Sequence, residues 1–118
     1  MSSHPHTCLS IERAMSYVGD LDSVRSLLGT LAQSLQGDLP EIQARLDAGD
    51  LPGVQRLLHQ FKGFAPVFCT EPLSDEVARV ERLSKGDDAP TVRSAYAHLA
   101  PRLQQLLAEV QAELARPR

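Results

Sequence analysis

The sequence predicts an all-α fold: an antiparallel up-and-down four-helix bundle with a short additional N-terminal helix. Apolar residues recur three and four positions apart, and no stretch sustains the apolar/polar alternation of a strand. Residues that start and stop helices stand between the apolar stripes. The connections are short, which makes sequential helices antiparallel neighbours.

The first helix starts after Ser10, a good N-cap, carries Ile11, Ala14, Met15 and Val18, and stops at Gly19. The second begins near Asp22 with the stripe Val24, Leu27, Leu28, Leu31, Leu35, Ile42 and Leu46, and Pro40 predicts a bend within it. Ala48-Gly49-Asp50 reads as a stop followed by a new N-cap, with Pro52 in the first turn of a third helix over about residues 51 to 68. A fourth helix runs from about Pro72 through Leu73, Val77, Val80 and Leu83 to Lys85-Gly86. The last starts at Pro90 after Asp87-Asp88, with Val92, Tyr96, Leu99, Leu103, Leu106, Val110 and Leu114 on one stripe and a kink expected at Pro101. A flexible leader is expected over residues 1–9 and one helical-bundle domain over residues 10–115.

Composition narrows the function. A chain of 118 residues supports one core, not two. With 12 Lys+Arg against 15 Asp+Glu, net charge −3, it has no basic excess to displace phosphate counterions, so nucleic acid is not an expected partner. Aromatic residues make up 4%, too few for base stacking or membrane-interface anchoring, and no apolar run reaches the roughly 20 residues of a membrane span. The stretch from Met1 to Cys8 has neither the cationic start nor the apolar centre of a signal peptide, which points to the cytoplasm. Cys8 and Cys69 are then expected as free thiols, and His4 and His6 as part of a solvated tail.

The chemistry gathers on the third helix. On a helical wheel Val54, Leu57, Leu58, Phe61, Phe64, Ala65 and Phe68 fall in an arc of about 120°, opposite His59. Within about 60° of His59 lie Gln55, Arg56, Lys62, Gly63 and Pro66. From Leu51 to Cys69 there is no Asp or Glu, so a cationic, acid-free patch is expected around one exposed imidazole. Such a ring has no carboxylate to orient it for triad hydrolysis, and no second His at i+3 or i+4 for a metal. It suits a nucleophile that accepts a phosphoryl group, with Lys62 meeting the anionic oxygens and Gly63 leaving room for another protein to close over the ring.

His59-Gln60-Phe61-Lys62-Gly63 resembles the H-x-[L/F]-K-G core of the histidine phosphotransfer (HPt) domain family of two-component phosphorelays. Ser10 to Ala14, the Leu-rich second helix, Leu46 to Asp50, and Leu73 with Val80-Glu81 also resemble family positions. The resemblance implies that His59 is the phosphoacceptor, that Lys62 stabilises the phosphoryl oxygens, and that Gly63 is their recurrent neighbour. It further implies a receiver domain of a response regulator, or a hybrid histidine kinase, as partner, with the receiver bringing the Mg²⁺ and the acidic pocket. No metal or cofactor of the chain's own is implied, and the protein is a phosphoryl carrier, not an enzyme. Gln55, Arg56, Gly63 and Pro66 are the expected docking surface. The chain departs from the family pattern at Cys69, where Gly is usual, and at Pro66, near which the helix is expected to bend or end.

Three other readings compete. An HPt-shaped adaptor would bind a receiver or kinase without turning over phosphate. The dimerisation domain of a histidine kinase is disfavoured because Gln60 stands where those domains generally carry an acid. A hydrolase using His59 and Cys69 is disfavoured because ten residues of helix set them some 15 Å apart along the axis. A monomer is expected, since one bundle consumes every apolar stripe found.

Overall fold

The structure, a computed structural model, describes residues 7–117. Among these it contains five helices: α1 (Ile11–Val18), α2 (Leu21–Asp47), α3 (Leu51–Phe68), α4 (Glu71–Gly86) and α5 (Ala89–Ala115). The starts follow from local chemistry. Ser10, Asp20, Asp50 and Asp88 each cap a helix, their side-chain oxygens accepting the backbone N–H of Arg13, Ser23, Gly53 and Thr91. The stop at Gly19 uses a left-handed backbone, φ 99°, that costs glycine little, and its N–H returns to the carbonyl of Met15.

All-helical packing places α3 against α4, α4 against α5, α5 against α2, and α2 against α3, with α1 on α2 and α3. The pair α3/α4 is the most extensive. Ends meet in a defined order. Arg25 near the start of α2 donates to the carbonyls of Glu113 and Leu114 at the end of α5, and Arg93 near the start of α5 donates to Leu46 at the end of α2. The molecule measures 45 × 22 × 21 Å, its length close to the roughly 40 Å of a 27-residue helix. The core is aliphatic, with Leu28, Leu35, Ile42, Leu46, Leu58, Leu73, Leu99, Leu103 and Leu106 all but inaccessible.

α2 and α5 are continuous through Pro40 and Pro101, both of which lie on exposed positions. α3 ends at Phe68, two residues past Pro66 and where expected, with the Cys69 N–H on Ala65 and the Arg13 guanidinium on the Pro66 carbonyl. Leu27 leaves the expected stripe and is 43% exposed, with Leu21 and Tyr17 also exposed, so the bundle does not consume every apolar residue.

The expected leader over residues 1–9 also needs revision at its inner end. His4 and His6 lie outside the described residues, but Cys8 and Leu9 are buried. The backbone N–H groups of Thr7, Cys8 and Leu9 converge on the buried carboxylate of Glu109, at 3.2, 3.0 and 2.8 Å. On its other side the segment pairs with the end of α3: Ser10 N–H donates to Phe68, and Thr70 N–H to Cys8. Alternation along these few residues is too brief to signal an inward-facing segment in the sequence.

Candidate functional site

His59 sits midway along α3 with its side chain 63% exposed. The apolar arc opposite packs inward as expected: Val54, Leu58, Phe61, Ala65 and Phe68 are buried, and Leu57 and Phe64 half-buried. Burying that arc fixes the rotation of the helix and leaves His59 pointing out. Gly63 is exposed, and a Cβ built there would meet nothing within 4 Å. Arg56 is exposed as well, while Gln55, Lys62 and Pro66 are half-buried.

The surroundings of the ring are not acid-free. Glu81, on α4, brings a carboxylate that is 1% exposed to within 3.5 Å of His59 Nδ1. Its Oε1 lies 3.3 Å from Lys62 Nζ, and its Oε2 accepts from Gln55 Nε2 at 2.7 Å and faces Lys85 Nζ at 3.4 Å. The wheel of α3 alone holds no acid because the acid comes from the neighbouring helix. Gln55 and Lys62 therefore serve two sides: each borders the outer surface, and each reaches inward to Glu81.

Glu81 follows Leu73 and Val77 at intervals of four, and its neighbour Val80 is buried too. Position in that stripe is the signal that could have found it, since a charged residue on a core-facing row needs a partner. Burial alone pushes its pKa up, but the hydrogen bonds from Gln55 and Lys62 and the charges of Lys62 and Lys85 outweigh it. The carboxyl thus stays below the usual range and is ionised at neutral pH. An ionised acceptor opposite Nδ1 favours the tautomer with its proton on that nitrogen, which leaves the lone pair on Nε2.

Two surface depressions flank α3. A cleft of about 420 Å³ between its start and the end of α4 is lined by Leu51, Pro52, Gln55, Ser84, Lys85 and Asp87. A smaller apolar groove of about 160 Å³ lies between α2 and α3, lined by Leu27, Leu31, Phe64 and Phe68 among others. Phe64 stacks on Phe61 at 4.8 Å between ring centroids and meets Phe68 edge-on.

Cys69 lies at the far end of α3 and is fully buried, its thiol pushed up to about 12 first by desolvation. A thiol in that state is no nucleophile at neutral pH, which removes the support for a His59–Cys69 hydrolase. Among the described residues no group of three His, Cys, Asp or Glu side chains could hold a metal ion, and no helix is long and apolar enough to cross a membrane.

The site is thus an exposed histidine on a helical bundle beside a buried, cation-lined carboxylate. The sequence matches the Hpt domain over residues 26–113, a span that holds His59, Lys62, Gly63 and Glu81, and the chain belongs to that family. Members carry phosphoryl groups in phosphorelays, working with receiver domains and kinases. Neither the curated proteins nor the solved structures contain a match to this chain.

Proposed function

We propose that this protein is a phosphorelay intermediate that accepts a phosphoryl group on His59 and exchanges it with the aspartate of a response-regulator receiver domain. The observation that carries the reading is the pairing of an exposed imidazole with a buried carboxylate: His59 is 63% exposed and its Nδ1 stands 3.5 Å from Glu81 Oε2, an arrangement that favours the proton on Nδ1 and the lone pair on Nε2. The Nε2 lone pair attacks phosphorus, the new P–N bond forms, and the P–O bond to the receiver's carboxylate breaks with its electron pair. The ring keeps its Nδ1 proton and gains positive charge, which the Glu81 carboxylate offsets. Lys62, one turn along α3, turns from Glu81 to the phosphoryl oxygens.

The chain contributes the nucleophile and the docking face and turns over nothing by itself. Gln55, Arg56, Gly63 and Pro66 border His59 and form that face. The remaining features of the reading are an antiparallel up-and-down arrangement of α2 to α5, a single domain that acts as a monomer, and a cytoplasmic site of action. The test is incubation of the protein with a phosphorylated receiver from the same organism. Transfer of the label is expected; a stable complex without transfer would replace the carrier by an adaptor that only docks.

A further inference from the structure

Glu81 carries more cationic partners than the transfer itself uses. Lys62 approaches Oε1, whereas Lys85, one turn beyond Glu81 on α4, approaches Oε2 at 3.4 Å and lies 52% exposed. The two lysines thus occupy different oxygens of a carboxylate that is 1% exposed. When Lys62 turns to the phosphoryl oxygens, Oε1 loses its cation, and a buried carboxylate without one is strongly disfavoured.

We propose that Lys85 is a positioning residue for phosphoryl transfer: it retains Glu81 in place, ionised and facing His59 Nδ1, while Lys62 leaves to meet the phosphoryl group. This rests on the carrier reading above and adds a division of labour between the two lysines. Charge balance supports it. A phosphoryl group brings roughly two negative charges, and the ring that receives it becomes cationic. With both lysines and Glu81 the cluster is then neutral; without Lys85 it holds one excess negative charge where a second anion, the receiver's carboxylate, must sit. Gln55 cannot substitute, because its amide donates a hydrogen bond to Oε2 but supplies no charge.

Phosphoramidate provides a direct probe: Nε2 bonds to its phosphorus, the original P–N bond breaks, and ammonia leaves. The full chain would be labelled with phosphoramidate, and in parallel with a phosphorylated receiver, following phosphohistidine by ³¹P NMR. Lys85→Gln should slow labelling about tenfold, Lys85→Arg should restore it to within about twofold, and neither should change the thermal midpoint. In a Lys62→Ala background, where Lys85 is the one lysine left on Glu81, Lys85→Gln should cost about tenfold or more.

Labelling of Lys85→Gln at the wild-type rate would overturn the role of Lys85 and leave the carrier reading intact. A loss below about threefold in the Lys62→Ala background, where Lys85 is the one lysine left to hold Glu81, would equally overturn the holding role. A wild type that takes no phosphoryl group from either donor would overturn the carrier reading itself, and this inference with it.

Discussion

Two buried carboxylates, Glu81 and Glu109, are held in opposite ways. Glu81 on α4 is held by side chains: Gln55, Lys62, Lys85 and the imidazole of His59. Glu109 on α5 is held mainly by backbone, accepting the N–H groups of Thr7, Cys8 and Leu9, the Thr7 hydroxyl and the Gln105 amide. In both cases burial raises the pKa and hydrogen bonds more than reverse it, so both carboxyls lie below the usual range. The difference is in what can move. Lysine side chains on a rim exchange partners at low cost, whereas three successive backbone donors release an acceptor only if the segment itself detaches. The first arrangement suits a site that must reorganise when charge arrives, and the second anchors the segment before α1 across the end of α3.

The comparison breaks most easily at Glu109. Glu109→Ala strips the acceptor from several buried donors and should cost about 3 kcal/mol, since each orphaned group costs about 1–3 kcal/mol and detachment of the segment recovers part. Phosphoryl transfer by the folded fraction should persist. Urea denaturation with a parallel transfer assay checks both, and loss of transfer without loss of stability would erase the distinction between the two carboxylates.

Glu81→Gln should do the reverse. Its lysines are half-exposed and reach water, so stability should change by no more than about 1 kcal/mol, while transfer slows about tenfold or more because the acceptor opposite Nδ1 is no longer charged. Unchanged transfer would mean that Glu81 only fills space. Lys62→Ala should slow transfer by a similar factor with no change in helicity, as read by circular dichroism.

Acid sharpens the comparison. Because both folded-state pKa values lie below the unfolded reference of about 4.3, the stability they contribute is fully present above that pH and is lost as pH falls through the folded values. Between pH 6 and 8 neither group should make stability depend on pH. Below about pH 4.5 the wild type should lose stability faster than Glu109→Gln, and parallel curves on thermal melts would show that Glu109 is not held by charge. The smallest effect belongs to Gly63→Leu, whose Cβ would meet nothing within 4 Å and which should leave the thermal midpoint unchanged while weakening receiver binding. Normal affinity on calorimetric titration would remove Gly63 from the docking face.

Sequence made the helices legible because their limits are local: a capping oxygen at Ser10, Asp50 or Asp88 sits three residues from the N–H it accepts. The outward position of His59 was legible for the same reason, being fixed by the apolar arc of its own helix. Glu81 was missed as a partner of His59 because 22 positions separate them and only the packing of α4 on α3 brings them together. Glu109 and Thr7 are further apart still. The prolines act locally too: α3 ends two residues after Pro66, while α2 and α5 continue through Pro40 and Pro101.

The central claim is that His59 carries the phosphoryl group, and site-resolved labelling tests it most directly. Incubated with a phosphorylated receiver, the wild type should acquire a phosphorus–nitrogen bond that is lost in mild acid and survives base. His59→Gln should acquire none, while its helicity is retained and its stability stays within about 0.5 kcal/mol of wild type, as for an exposed substitution. Undiminished, acid-labile labelling of His59→Gln would contradict the account by placing the phosphate on another residue.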